Sequence, residues 1–408
     1  IVNFYGMCNL YYDWEKYKQA IDSCDRALAI SERIKRPENE LINFIDYLGF
    51  LYENQQNYSQ AEIYYKQVLA RQEKLHGAGS IEIIQNILKL GYVYDNQGKY
   101  REALPYFQRA LTLKEKAHGL EHPEVARRIW HLTNIYIKLA NYQEALKFAQ
   151  RALEITKKVH GFKHDDVATS LNNLGNIYSN IGKYQEALLN HKQALAILEN
   201  ISRNGDFWSD YKLANQLNNL AAVYQELGNY QEAENLFKRS LNIREQLYQN
   251  ALTAKPPEKD YKINSLAGQV AGSLNNLANL YQDKGNYTEA VKLQQRALFL
   301  NEKAFGKEHP DVALSLNNLA SVYRDLGKYQ EAIPLAKTAL AINEKILGAE
   351  HAQVASNLNN LATIYVGQGK HTEALGLFQR ALAIREKVFG NEHPLVAISL
   401  NNLGGLYS

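Results

Sequence analysis

The sequence predicts an all-α fold, an α-solenoid of stacked antiparallel helix pairs, and three observations carry that reading. First, a phrase closing on alanine recurs nine times: Lys16-Tyr17-Lys18-Gln19-Ala20, Asn57 to Ala61, Lys99 to Ala103, Asn141 to Ala145, Lys183 to Ala187, Asn229 to Ala233, Asn286 to Ala290, Lys328 to Ala332 and Lys370 to Ala374. The alanines lie 41, 42, 42, 42, 46, 57, 42 and 42 residues apart, and fixed periods of this size mark repeat architectures. Second, the apolar residues before each phrase follow helical spacing. Third, a turn residue separates them from a second helical pattern after the phrase.

The eighth copy shows the elements in order. Leu316, Leu319, Ala320 and Tyr323 recur at i, i+3, i+4 and i+7, the apolar stripe of a first helix. Gly327 supplies the turn, since glycine tolerates the left-handed conformation that ends helices. Tyr329 opens a second helix carrying Ala332, Ala336, Ala339 and Leu340 on one side, small residues that let two helices approach closely. It runs through Ile342 and Ile346 to Gly348. Two helices of this size cannot bury their apolar faces alone, whereas stacked neighbours can, with a continuous core and a concave inner surface. A tenth copy begins at Leu400-Asn401-Asn402-Leu403.

The expected organisation is one array over 1–408, with divergent repeats one to four (1–166) and regular, Asn-rich repeats five to ten (167–408). Loop insertions are expected near 202–211, which includes Trp208, and near 249–268, where Pro256-Pro257 sits among charges. The chain starts Ile1-Val2-Asn3 and stops at Leu406-Tyr407-Ser408, which reads as a segment cut from a longer protein.

Across 408 residues, 46% are hydrophobic and 22% charged, an ordinary globular balance. Net charge is only +3, so charge gives no reason to expect a nucleic-acid or membrane-surface partner. No stretch approaches ~18 apolar residues, so no membrane span is expected. The expected location is cytoplasmic.

The first-helix wording, together with the Gly-x-Tyr-x-x-Ala turn, resembles the tetratricopeptide (TPR) pattern, and the 42-residue period resembles the kinesin-light-chain type. Asp311-Val312-Ala313-Leu314-Ser315-Leu316-Asn317-Asn318-Leu319-Ala320, Arg380 to Lys387 and His309-Pro310-Asp311-Val312 are close to that family's wording. The resemblance covers repeats five to ten tightly and one to four loosely. It implies a right-handed superhelix of TPR hairpins.

Chemistry has no address in the sequence. His122 and His164, then His309, His351 and His393, are each 42 apart within their sets. Equivalent positions of stacked repeats lie roughly 16–20 Å apart, at about 8–10 Å per packed helix. Zn–N bonds are about 2 Å, so these histidines cannot share an ion and read as loop or helix-entry contacts. There is no phosphate loop, nucleophile elbow or His-Glu-x-x-His. No cofactor, metal or catalytic residue is expected. Cys8 and Cys24 read as buried inert thiols of the first hairpin. Tyr52, Tyr94, Tyr136, Tyr178, Tyr224, Tyr281, Tyr323 and Tyr365 read as core packing.

The informative polar feature is an Asn pair on first helices: Asn172-Asn173, Asn218-Asn219, Asn275-Asn276, Asn317-Asn318, Asn359-Asn360 and Asn401-Asn402. Asn costs up to ~0.7 kcal/mol relative to Ala inside a helix, so its recurrence asks for a reason. The second Asn lies about 200° around the helix from the preceding Leu and starts another stripe. That stripe is Thr169, Asn173, Asn176 and Asn180 in repeat five, and Gly272, Asn276, Asn279 and Asp283 in repeat seven. In a TPR superhelix it lines the concave groove, where amides could pair with the backbone of an extended peptide. The alternative is that they bond to neighbouring repeats or water. Groove contact is expected for the second Asn and inter-repeat bonding for the first.

Kinesin-light-chain repeats similarly use this Asn, with basic residues late in the second helix, to hold acidic and aromatic cargo peptides. The late position here is Arg244, Asn301, Asn343 and Arg385, while the family's Lys early in the next helix is replaced by Gly272, Leu314, Ser356 and Ile398. Groove-side Arg324 adds basic character. Tyr47, Lys89 and His131 replace the Asn in repeats two to four, so binding is expected in repeats five to ten, at Asn173, Asn176, Asn180, Asn219, Asn276 and Asn279, then Asn318, Arg324, Asn360 and Asn402, with Arg244 and Arg385. The expected function is a non-catalytic interaction scaffold holding a protein or peptide in the groove. The alternative is a spacer or end-to-end self-association module of a larger signalling protein.

Overall fold

A computed structural model describes residues 8, 10–12, 16–202, 206–254 and 260–407. Among these the regular structure is helical, and the chain divides into two compact units, Ile1–Leu139 and Ala140–Ser408. Unit 1 holds α1 (Tyr17–Arg33), α2 (Glu38–Asn54), α3 (Tyr58–His76), a 3-10 turn (Ile81–Ile83), α4 (Ile84–Asn96), α5 (Tyr100–His118) and α6 (Pro123–Lys138). Unit 2 holds α7 (Tyr142–His160), α8 (Asp165–Asn180), α9 (Tyr184–Ile201), α10 (Phe207–Glu226), α11 (Tyr230–Thr253) and α12 (Asp260–Asp283). It continues with α13 (Tyr287–Phe305), α14 (Pro310–Asp325), α15 (Tyr329–Leu347), α16 (Ala352–Gly367), α17 (His371–Phe389) and α18 (Pro394–Tyr407).

Within each unit every helix packs on the next, as a solenoid of helical hairpins requires. First helices of neighbouring repeats also meet directly, α8 with α10, α12 with α14 and α14 with α16, so they form one layer. The hairpin turn follows the expected chemistry. At Gly327 φ is +71°, and the N–H groups of Gly327 and Lys328 donate to Arg324 O and Tyr323 O, both at 2.8 Å, closing the last turn of α14.

The core matches large residues with small ones. Gly49 faces Tyr65, Gly91 faces Phe107 and Gly175 faces His191, while Ala221 shares a cluster with Phe237 and Ala362 with Phe378. The recurrent tyrosines pack half-buried or buried, and some hydroxyls reach carboxylates: Tyr94 donates to Glu62 and Tyr281 to Glu234, both at 2.9 Å. Lys66, Gln97 and Tyr94 all donate to Glu62, and these bonds outweigh partial burial to hold its carboxyl down at about 2.

Two expectations change here. The residues inserted near 202–211 and 249–268 mostly lengthen helices instead of forming loops. Asp206 caps α10, accepting from the N–H groups of Trp208 (3.3 Å) and Ser209 (3.0 Å). Helices α11 and α12 each reach 24 residues, and the Pro256-Pro257 segment lies outside the described residues. Trp208 is 66% exposed. Cys8 and Cys24 are also not free thiols: they are joined in a disulfide, with Cα atoms 5.7 Å apart, because the first hairpin sets both at the same level of its core.

Candidate functional site

The periodic histidines cap helices. The backbone N–H two residues on donates to Nδ1 of His122, His164, His309, His351 and His393, at 3.1–3.2 Å in each case. An imidazole that accepts there is neutral at Nδ1. Burial lowers the pKa of His309, with Asp311 opposing the shift.

The Asn pairs form a directed ladder. In unit 2 the second Asn of one repeat reaches back to the first Asn of the repeat before. Asn219 Nδ2 donates to Asn172 Oδ1 at 2.9 Å, Asn276 to Asn218 at 2.9 Å, Asn360 to Asn317 at 2.9 Å and Asn402 to Asn359 at 2.7 Å. Unit 1 keeps the connection with different chemistry: Lys89, at the second-Asn position, bonds Asp46, at the first-Asn position, through both carboxylate oxygens at 2.5 and 2.6 Å. Leu88 offers no acceptor to His131, which instead meets the Tyr92 hydroxyl at 3.0 Å. Burial and the nearby Arg128 and Arg127 bring the His131 pKa down to about 4.

One rung stays open. Among the described residues, Asn275, 6% exposed, has a buried Oδ1 without a partner, and Asn318, part-exposed one repeat on, makes no side-chain hydrogen bond. Asn219, Asn276 and Asn402 each make one such bond, and their carbonyl oxygens are unclaimed by the described residues. Asn360 is buried, and Arg324 Nη1 donates to its Oδ1 at 3.3 Å while also pairing with Asp325. Asn180 bonds its own helix at Asn176 O, 2.8 Å away, Asn279 is exposed, and Asn173 is part-exposed.

Arg244 and Arg385, 8% and 5% exposed, are inter-repeat struts. Arg244 donates to Ser273 Oγ (2.6 Å), Asn215 Oδ1 (2.6 Å) and Gln269 O (3.2 Å). Arg385 donates to Ser399 Oγ (2.8 Å) and Leu395 O (3.1 Å). Burial lowers both guanidinium pKa values. The same register is filled by Asn301 to Ser315 at 2.9 Å, Asn343 to Asn357 at 2.6 Å, and Thr156 with Ser170 at 3.2 Å. These partners sit fourteen residues apart, a spacing legible in the sequence once the hairpin is known. Sequence reasoning named the late second-helix side of that pair and missed its Ser or Asn partner.

No helix among the described residues is long and apolar enough to cross a membrane. Stacked helical hairpins with a ladder of polar side chains on the first helices of unit 2 place the chain in the class of helical-repeat interaction scaffolds. Family models described as tetratricopeptide repeat match residues 40–116, 125–200, 269–345, 312–387 and 353–408, and related models match 88–159 and 213–251. The chain belongs to the tetratricopeptide-repeat family. No curated protein matches it. Among solved structures it is similar to the apo form of RapI, at 18% identity over 75% of this chain and 98% of that one, with a TM-score of 0.51. It is also similar to BtubC (BKLC) of P. vanneervenii, at 25% identity over 60% and 96%, TM-score 0.47. A Podosopora anserina chain named as a kinesin light chain with nearly identical TPR-like repeats shows 27% identity over 55% and 98%, TM-score 0.42.

Proposed function

We propose that unit 2 is a non-catalytic receptor for an extended peptide, held along the first-helix layer by the second Asn of each pair. The observation that supports this is the half-used amide. The rungs of Asn219, Asn276 and Asn402 spend an N–H on the repeat before and leave a carbonyl oxygen, unclaimed by the described residues, held in fixed orientation. An ordered acceptor of this kind pairs with a peptide N–H without regard to side chains and without losing rotamer freedom on binding. Asn318 and exposed Asn279 contribute amides that make no repeat-to-repeat bond among the described residues. Arg324 adds one basic group, already shared with Asp325, so the layer suits a neutral backbone better than a strongly acidic ligand. Arg244 and Arg385 act beneath this layer as struts that fix the spacing of the repeats.

The test is selection of peptides from a random display library on the intact chain, followed by affinity measurement by fluorescence polarisation. Asn318→Ala and Asn279→Ala are expected to weaken a selected peptide about tenfold or more together, with Tm unchanged. Equal affinity for the variant, or selected peptides that compete for no common site, would overturn the groove reading.

A further inference from the structure

We propose that His160, His164 and Asp166 form a binding site for a divalent transition-metal ion of the zinc class. His160 is the last residue of α7, His164 caps α8, and their rings stack with centroids 4.2 Å apart. The stack itself does not need a histidine at 160. Phe305 stacks on His309 at 4.5 Å and Phe389 on His393 at 4.3 Å in the same register. His160 therefore adds a nitrogen that packing leaves unused.

That nitrogen points at an arrangement of lone pairs. His160 Nε2 lies 3.3 Å from Asp166 Oδ2, and His164 Nδ1 lies 3.5 Å from the same oxygen and 2.8 Å from Asp165 Oδ1. The Asp166 N–H donates to His164 Nδ1, so that nitrogen carries a lone pair among carboxylate oxygens. A cation resolves the crowding. Tetrahedral zinc with bonds of about 2.0–2.1 Å spaces its ligand atoms about 3.3–3.5 Å apart, which two of these edges already match. The three ligand atoms lie within 4.8 Å of one another, so the imidazole-to-imidazole edge closes by rotation of partly exposed side chains. The helix-cap bond is exchanged for a metal bond, and Asp166 offsets the positive end of α8, while Asp165 is held by Lys212. Imidazole with carboxylate suits zinc, nickel or copper better than calcium or magnesium, which take oxygen ligands.

The homologous triplet in unit 1 shows what a closed version looks like. His118 stacks on His122 at 4.6 Å, but Glu124 is ringed by Arg127 (2.8 Å), Arg128 (3.7 Å) and Lys114 (3.8 Å), which oppose a cation. Asp166 pairs only with the two imidazoles among the described residues.

Calorimetric titration of the full chain with zinc chloride near neutral pH, in a non-chelating buffer, tests the site. Wild type is expected to take up one equivalent at micromolar affinity and to gain Tm with zinc. His160→Phe keeps the stack as Phe305 does, and it is expected to bind at least tenfold more weakly and lose the Tm gain. Asp166→Asn should behave like it, while His118→Phe should match wild type. Equal uptake by wild type and His160→Phe would assign the metal to scattered histidines and overturn the proposal, as would absence of uptake by wild type.

Discussion

The imidazole of His191 occupies the space a methyl group on Gly175 would need: a Cβ there would stand 2.6 Å from the ring. The pairing is one solution to a constraint met differently elsewhere, by Gly91 with Phe107 and by Ala320 with Ala336. Gly175→Ala should lower stability by about 1–3 kcal/mol through overpacking. In a His191→Ala background the same change should cost far less, because the opposing ring is gone. Chemical denaturation of the four proteins of this double-mutant cycle checks it, and equal costs in both backgrounds would refute the contact's role.

Gln294 is 0% exposed, and both its amide atoms lack partners among the described residues. The equivalent position holds Phe237 one repeat earlier, against an alanine as here. Gln294→Phe should therefore stabilise the chain by about 1–3 kcal/mol, removing an unpaired buried amide while filling the same space. A fall in Tm would mean that the amide is satisfied in solution.

His191 predicts acid sensitivity. Burial pulls its pKa down from 6.5 to about 4, so the folded chain keeps it neutral while the unfolded chain protonates near the ordinary value. The unfolded state then binds more protons between about 6.5 and about 4. Stability is full above 6.5 and declines as pH falls through that window, by on the order of 3 kcal/mol at its lower edge. His131 adds a slope of the same sign in unit 1. His191→Phe should flatten part of the pH dependence of Tm, and an unchanged profile would show that His191 does not supply it.

Ala140 has φ of +55°, where six repeats place glycine between +71° and +79°. Left-handed backbone costs a residue with a Cβ about 1–2 kcal/mol. Ala140→Gly should raise stability by about 1 kcal/mol once the extra freedom of glycine in the unfolded chain is counted. Thermal melts of the two proteins decide it, and a loss of Tm would be the contrary result.

The hairpins were legible because their signals are local. The Gly-x-Tyr-x-x-Ala turn, the Leu316–Tyr323 stripe and the alanines of α15 each act within a helix or across one turn, and each stands where the period puts it. The insertions misled because Pro256-Pro257 reads as a loop in sequence, while helical residues before and after it, such as Leu247, Ala251 and Leu266, share one core cluster and lengthen α11 and α12. The cysteine pair was invisible as a bond, since sequence separation does not report that two helices set Cys8 and Cys24 within bonding reach.

The sequence by itself determined the period, the helix types, the turn positions, the family and the presence of an amide stripe on first helices. Only the tertiary structure decided what those amides touch. Asn276 and Asn218 are 58 residues apart in the chain yet 2.9 Å apart in space, and Asn318 and Asn275, at equivalent positions, stay unbonded. The stacking distance and rotation between neighbouring hairpins arise from many side chains packing together, and a difference of an ångström in that geometry makes or breaks a hydrogen bond.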